Sequence, residues 1–349
     1  MYSINIKNTV VGRAVGFSKD GKLFLGRKYD LYSYSTEQHT ELIARVPCSW
    51  KRKVIAPSRL LCRLFRHELR GASIFSDGTK IIATRKGLYY GAKNETILHR
   101  AEMPLLDPPV IGPSNITLTK DEKILWGEYW GNPDLRAVRI FVSYDKGRSY
   151  EPIWQFKPNE IKHVHNIVED TQDDCYWVLA GDHFKQPGIG RLSKDLKQFD
   201  WLVKGEQKYR AVYVFPLKDR LVYATDSEKQ PDYVCSLHKT TGKWEKVCDI
   251  PGSCIYAAKF GKWYTISTTS ENFDFDTIAS RTATLWISND CENWQQVFTA
   301  EKDIWNKTYF EFGSLLLPRG EWKSDEIVFS GQAVKKYDNI TCIAEIIEK

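Results

Sequence analysis

Residues 139–156 read RIFVSYDKGRSYEPIWQF, and they describe two candidate strands joined by a short polar turn. The strands, Arg139–Ser143 and Pro152–Phe156, contain aromatic and β-branched residues, which fit a pleated, half-buried surface. Between them, Asp145 can accept backbone hydrogen bonds within the turn, and Gly147 can adopt a positive φ without steric cost. The stretch therefore predicts an antiparallel hairpin.

A unit of similar strands recurs along the whole chain. It consists of a short apolar strand, a polar turn, and a second strand that ends in small or polar residues. The second strands begin roughly 42 to 64 residues apart, near the spacing of four-stranded propeller blades. They are Lys22–Gly26, Lys80–Thr84, Lys123–Gly127, Cys175–Gly181, Arg220–Thr225, Lys262–Thr268 and Glu326–Gly331. The repeat predicts an all-β fold, a β-propeller of about seven four-stranded blades.

The last copy of the unit lacks room for a fourth strand. It ends with Thr341–Ile347, whereas Met1–Lys7 alternates apolar and polar residues and could supply the missing strand. Pairing the two termini in one blade would remove the free edges of an open sheet. We therefore expect the N- and C-terminal strands to close the ring. Without a linker or low-complexity segment, residues 1–349 are predicted to form a single domain.

Two turns carry a more specific pattern. Ser143–Tyr150 matches Ser-x-Asp-x-Gly-x-x-aromatic, and Ser288–Trp294 is a looser version. In phase with the repeat, they make the chain resemble the BNR or Asp-box β-propeller superfamily, which includes sialidases and several polysaccharide lyases and hydrolases. The resemblance implies that these turns lie on the blade rim, away from the channel. A sialidase proper is not expected, because the chain lacks the Arg-Ile-Pro-type element of those enzymes.

Polar residues concentrate where the repeat places the mouth of the central channel. The innermost strand of each blade lines that channel, so corresponding positions of neighbouring copies should converge. Copies three to five supply most of the chemically active side chains. The candidate catalytic residues are His163, His165, Asp182, Tyr209, Arg210 and Asp226, and the candidate substrate-binding residues are Glu128, Trp130, His183 and Glu228.

Two reactions are compatible with this set. In glycoside hydrolysis, two carboxylates among Glu128, Asp182 and Asp226 would act as general acid and general base. In β-elimination, Arg210 would pair with a uronate carboxylate, while Tyr209 or a neutral histidine takes the α-proton. The resemblance favours such chemistry, because propeller polysaccharide lyases use histidine, tyrosine and arginine sets. The residue types alone do not separate the two reactions.

The same residues also have a metal-binding and a structural interpretation. His163, His165 and Asp182, with His183 nearby, could ligate a divalent metal, although our first prediction is that the protein holds no metal or other cofactor. Alternatively, the histidines could be hydrogen-bonded structural groups, the aspartates could cap turns, and Arg210 could form an internal ion pair.

The charge and the hydrophobic pattern of the chain indicate which kinds of binding partner to expect. The net charge of +6 and the pI near 8.7 are mild, and the densest basic stretch is Trp50–Arg70. That stretch is either an irregular exposed connection or a patch for an anionic polymer such as an acidic polysaccharide. Nucleic acid is not expected, because no recognised nucleic-acid module occurs. No apolar run is long enough to span a membrane, and no signal peptide is found.

The eight cysteines contain no CxxC pair, which argues against a structural zinc site and favours reduced thiols in a cytoplasmic protein. We predict a carbohydrate-active enzyme, a glycoside hydrolase or polysaccharide lyase, acting on an acidic poly- or oligosaccharide at the channel mouth. Surface-polysaccharide metabolism is a compatible setting. The alternative is a non-catalytic propeller that binds a glycan or a protein. The enzyme hypothesis requires that the candidate residues converge without being fully paired with one another.

Overall fold

The computed structural model describes residues 1–349 except 19, 36–38, 56, 86, 184, 228–229, 271–280, 321 and 323, and except the side chains of 51–53. The described residues form seven four-stranded antiparallel sheets, which are the seven blades of a β-propeller. The prediction of fold class is therefore confirmed. The seven predicted second strands coincide with observed strands to within one or two residues at each end.

The first three blades take their strands in chain order. Blade 1 consists of β2 (Arg13–Phe17), β3 (Leu23–Arg27), β4 (Asp30–Tyr34) and β5 (Thr40–Arg45). Blade 2 consists of β6 (Leu69–Ile74), β7 (Lys80–Thr84), β8 (Gly87–Gly91) and β9 (His99–Arg100). Blade 3 consists of β10 (Thr117–Leu118), β11 (Ile124–Gly127), β12 (Val138–Ser143) and β13 (Glu151–Phe156).

The next three blades repeat this order. Blade 4 consists of β14 (Val164–Asp170), β15 (Cys175–Ala180), β16 (Gly188–Ser193) and β17 (Phe199–Lys204). Blade 5 consists of β18 (Phe215–Pro216), β19 (Arg220–Ala224), β20 (Asp232–His238) and β21 (Trp244–Ile250). Blade 6 consists of β22 (Cys254–Phe260), β23 (Trp263–Thr268), β24 (Thr282–Ser288) and β25 (Gln295–Glu301).

Blade 7 joins the two ends of the chain. It contains β26 (Ser314–Leu316), β27 (Ile327–Gln332) and β28 (Ile340–Glu348), with β1 (Tyr2–Val11) as its fourth strand. The antiparallel β1–β28 pairing confirms the predicted closure by the terminal strands. In this blade β28 lies between β27 and β1, so both of its edges are hydrogen-bonded, and β1 is the outermost strand.

The chain divides into two compact units. Unit 1 comprises residues 1–84, 91–99 and 256–349, and unit 2 comprises residues 85–90 and 100–255. In unit 1, Phe17 packs edge-on against Phe260, with ring centroids 6.3 Å apart, inside a large apolar cluster. In unit 2, two apolar clusters are built largely from buried second and third strands. The prediction that residues 1–349 form one domain stays a prediction.

Close packing inside unit 2 brings the strand β11 of blade 3 against β14 of blade 4. A Cβ atom at Gly127 would lie 2.4 Å from the Cβ of Val164, so only glycine allows this approach. Val164 N–H also donates to the carbonyl of Glu128 over 3.0 Å. These contacts fix the start of β14, where the candidate histidines lie, relative to the end of β11.

The hairpin of residues 139–156 has the hydrogen bonds expected of its turn. Asp145 accepts from the Ser143 hydroxyl over 2.8 Å and from the Ser149 N–H over 2.9 Å. In the looser turn, Asp290 accepts from Ser288 over 2.8 Å. Burial opposes the charge of Asp145, but these bonds lower its pKa overall. The relation to the BNR superfamily stays a prediction.

The stretch Trp50–Arg70 contains two short helices, where the sequence predicted an irregular connection. They are α1 (Trp50–Ile55) and α2 (Arg59–Leu64), and Ser58 caps α2 by accepting from the Leu61 N–H over 3.3 Å. A third helix, α3 (Lys307–Phe310), lies beside α2. Helical periodicity could not reveal these elements, because each spans only four to six residues and depends on tertiary contacts.

Candidate functional site

Blade 4 supplies the centre of the site from the first residues of β14 and the end of β15. His163 directly precedes β14, and His165 is the extra residue of a bulge, because Val164 pairs with Ala180 while Asn166 pairs with Leu179. The bulge turns the His165 side chain away from the regular alternation of the strand. The corresponding position carries the bulge in blades 1 and 2 also.

Asp182 follows β15 and occupies the middle of the cluster. Its Oδ1 lies 3.1 Å from His163 Nε2 and 3.2 Å from His165 Nε2. Its Oδ2 accepts from Lys162 Nζ over 2.9 Å. The preceding glycine, Gly181, has a φ of +84°, and a Cβ there would lie 2.3 Å from a backbone oxygen. The backbone that presents Asp182 therefore requires glycine at this position.

Blade 5 adds an arginine and a second carboxylate. Arg210 Nη2 lies 3.3 Å from Asp182 Oδ1 and 3.2 Å from Asp226 Oδ2. The Asp226 N–H donates to the Arg210 carbonyl over 3.0 Å, which fixes the two residues relative to each other. We call His163, His165, Asp182, Arg210 and Asp226 the Asp182 cluster. All five are at most 7% exposed.

The electrostatics of the cluster keep Asp182 ionised. Burial, the largest single influence, would raise the pKa of Asp182, but the hydrogen bonds of its carboxylate with His163 and His165 lower it far below its usual range. The pKa of His165 is lowered, because burial disfavours its cationic form more than Asp182 favours it. A carboxylate held in this way binds no proton at any pH near neutrality.

The ring of His163 lies between two hydrogen-bond acceptors. Its Nδ1 is 2.8 Å from the carbonyl of Trp130, and its Nε2 faces Asp182. A neutral imidazole carries one N–H and can donate to only one of these oxygens. Tyr129 stacks on the same ring, with centroids 4.0 Å apart, and so restricts its rotation.

Five of the six predicted catalytic residues come together in this cluster. The exception is Tyr209, which lies in a short 3-10 turn, Gln207–Tyr209. Its ring packs against the apolar cluster around Tyr223 and lies 5.1 Å from Lys208 Nζ. Tyr209 and Arg210 are consecutive in the chain, but their side chains have different neighbours.

The predicted substrate-binding residues have varied surroundings. Glu128 is fully buried and forms a salt bridge with Arg139 over 2.8 Å. Trp130 is half-buried and packs on an apolar cluster of unit 2. His183 Nε2 lies 3.3 Å from Lys162 Nζ, at the edge of the cluster. Glu228 lies outside the described residues.

Three residues of the site were not predicted. Lys162 binds Asp182, Tyr129 stacks on His163, and the Gln207 side chain donates to the Asp182 carbonyl over 2.7 Å. Lys162 could have been found, because it directly precedes His163 on the strand that the sequence singled out. Tyr129 could have been found in the same way, because it lies between the predicted residues Glu128 and Trp130. The contact of Gln207 depends on how its turn approaches Asp182.

Other features of the chain bear on its partners. All eight cysteines belong to the described residues and are free thiols. None of the helices in the described part of the chain is long and apolar enough to span a bilayer. Within the predicted basic stretch, Arg59 pairs with Asp338 over 2.8 Å and Arg66 with Glu311 over 2.9 Å. The charges of these two arginines are thus neutralised internally.

Comparison with known proteins supports the fold. No protein-family model matches the chain, and no curated protein sequence matches it. Among solved structures, the extracellular domain of a putative one-component system from B. thetaiotaomicron aligns with a TM-score of 0.58 and 12% identity. That alignment covers 97% of this chain and 41% of the other, so the chain spans about two fifths of that structure.

Two further structures align over nearly their whole length. A chain of the Mitotic Checkpoint Complex gives a TM-score of 0.60 at 6% identity, with 99% of this chain and 95% of that chain covered. The RRP9 WD40 repeats give a TM-score of 0.57 at 10% identity, with 99% and 98% covered. Identities this low establish similarity of fold alone, so function has to be argued from the site.

Replacing the central carboxylate should destabilise the protein. Asp182→Asn removes the counter-charge that half-buried Lys162 shares with buried Arg210, and breaking a buried ion pair typically costs about 3–5 kcal/mol. Urea denaturation of the variant should show this loss in the free energy of unfolding. The exposed Asp200→Asn serves as the control and should change little; equal stability of both variants would contradict the described cluster.

Proposed function

We propose that this protein is a non-catalytic binding propeller, and that its partner is a protein. The observation that carries the proposal is the mutual pairing of the predicted catalytic residues. Asp182 is bonded to both histidines, to Lys162 and to Arg210, and Arg210 is shared with Asp226. The enzyme hypothesis requires that these residues converge without being paired with one another, and this arrangement does not meet that requirement.

Hydrolysis of a glycosidic bond needs one carboxyl group that is protonated before the reaction. The lowered pKa of Asp182 makes this residue a poor general acid. Asp226 is engaged with the Arg210 guanidinium, whose Nη2 lies 3.2 Å from its Oδ2. Glu128, the third carboxylate of the predicted set, is buried against Arg139. None of the three therefore resembles an acid catalyst.

Elimination needs an arginine that can receive a uronate carboxylate and a base that can receive a proton. Arg210 already contacts two carboxylates of the protein itself. The two nitrogens of His163 face Trp130 and Asp182, and Tyr209 packs on an apolar core. A substrate would have to displace several buried contacts before any of these groups could act.

An exposed aromatic surface supports the binding role. In unit 1, large apolar side chains of α2, α3 and their flanks are 38% to 61% exposed. Arg63 holds the two helices together, because its Nε donates to the Phe310 carbonyl over 2.8 Å. We call this the α2–α3 surface; it comprises Leu61, Phe65, Trp305, Tyr309 and Phe312. Clustered exposed apolar side chains are typical of interaction sites.

The charges around the α2–α3 surface favour a protein over an acidic polysaccharide. Arg59, Arg63 and Arg66 are all paired with carboxylates of unit 1. An acidic polymer would find little unneutralised charge among these three arginines. By contrast, exposed aromatic rings beside internally paired arginines match the composition of protein–protein interfaces.

The absence of turnover can be tested on a panel of acidic polysaccharides. Wild-type protein and His163→Ala would be incubated with each polymer, and unsaturated-uronate absorbance and reducing ends would be followed together. We expect no product from either protein, because the candidate acid and base groups are engaged with one another. Product formed by the wild type and by the neighbouring variant His183→Ala, but not by His163→Ala, would contradict the proposal.

The binding surface can be tested with a matched pair of variants. Phe65→Ser with Tyr309→Ser removes two exposed rings of the α2–α3 surface, and Tyr144→Ser removes a ring that is 57% exposed elsewhere. Quantitative affinity capture from lysate of the source cells should enrich a protein with the wild type and with Tyr144→Ser, and lose it with the double variant. Equal capture by both variants, or glycan-array binding lost only in the double variant, would argue against a protein partner at this surface.

A further inference from the structure

We propose that His163, His165 and Asp182 form a binding site for a divalent transition-metal ion, with Zn²⁺ as the best-matched ion. Two imidazoles and one carboxylate are a ligand set that suits Zn²⁺ and leaves one position of a tetrahedral ion open. The three ligand atoms all lie within 4.8 Å of one another, and each residue is buried. This inference does not depend on the proposed function, since a bound ion needs no turnover.

The distances between the ligand atoms are close to those of an assembled site. Atoms bound to one Zn²⁺ at about 2.0–2.2 Å lie roughly 3.3–3.6 Å apart in tetrahedral geometry. Asp182 Oδ1 lies 3.1 Å from His163 Nε2 and 3.2 Å from His165 Nε2. The remaining separation, between the two imidazole nitrogens, is at most 4.8 Å.

The hydrogen bond of His163 to Trp130 is the contact expected of a metal-ligating histidine. Such a ligand normally donates its second N–H to a carbonyl or carboxylate, which fixes the tautomer and aims the other nitrogen at the metal. In the tautomer that donates from Nδ1 to the Trp130 carbonyl, 2.8 Å away, the Nε2 lone pair is available to a metal ion beside Asp182. A metal between these two atoms would satisfy both nitrogens of a neutral ring.

Two backbone features bring the side chains of His163, His165 and Asp182 together. The bulge at His165 aims its ring at the segment after β15, and Gly181 permits the tight turn that presents Asp182. The Gly181 carbonyl also lies 3.2 Å from His165 Nε2 and offers an oxygen beside the three ligands. Tyr129 covers the ring of His163. The cluster therefore has a fixed geometry rather than a set of flexible surface side chains.

Neighbouring cations set the affinity of the site. Lys162 bonds to Asp182 Oδ2, the oxygen that does not face the histidines, and so can remain in place when a metal binds Oδ1. Arg210 can keep Asp226 as its partner while it releases Asp182. Both cations repel a divalent ion, so removing one should strengthen metal binding, whereas a purely ionic cluster would only be weakened.

The test is Zn²⁺ titration of EDTA-treated full-length protein by isothermal calorimetry. We expect one ion per chain, at least roughly 100-fold weaker binding in His163→Gln, and unchanged binding in the control His99→Gln, whose exposed side chain lies outside the Asp182 cluster. Lys162→Met should bind Zn²⁺ roughly three- to tenfold more tightly than the wild type. Circular dichroism would establish that each variant is folded before titration.

Two further readouts separate this site from capture of Zn²⁺ by the eight cysteines. Co²⁺ bound to the wild type should give a visible spectrum of ordered nitrogen and oxygen ligands, without the thiolate charge-transfer band of cysteine coordination. Zn²⁺ should raise the melting temperature of the wild type but not of His163→Gln, because only the former binds the ion in the native state. No stoichiometric binding, a thiolate band, or equal affinity in His163→Gln would overturn the proposal.

Discussion

The arrangement of the Asp182 cluster depends on the ionic and hydrogen-bonding contacts of one buried carboxylate, that of Asp182. It lies in a buried position and accepts contacts from two histidines and a lysine of blade 4 and from an arginine of blade 5. Unpaired, a charge in such surroundings would be strongly destabilising. Its partners therefore have to be held by the backbone, and the bulge at His165 and the glycine before Asp182 are the local means of doing so.

Features that local sequence patterns encode could be predicted, and features that depend on tertiary contacts could not. The repeat of short apolar second strands after polar turns predicts the blades, because both are local properties of the sequence. The terminal pairing of β1 with β28 follows from counting strands. The convergence of His163 and Asp182 follows from the repeat too. The orientation of Tyr209 and the helices α1 to α3 could not be predicted, because they depend on tertiary contacts that no local pattern encodes.

The proposed binding role and the proposed metal site are compatible, because they use different parts of the molecule. The α2–α3 surface lies in unit 1, whereas the Asp182 cluster lies in unit 2. A metal ion would link the start of β14 to the segment after β15 and so reinforce a cluster that is already closed by its own contacts. Its open coordination position would remain covered as long as the surrounding side chains keep their pairing.

The contacts of Asp182 with His163, His165 and Arg210 keep its carboxylate ionised in the folded protein. The most direct measurement is a pH titration of protein labelled with ¹³C at aspartate carboxyl carbons, with the Asp182 signal assigned by its loss in Asp182→Asn. Since the pKa of Asp182 is lowered far below its usual range, the signal should stay at its ionised position until acid unfolds the protein. Titration of this signal near pH 4 or above, in the folded protein, would contradict the account.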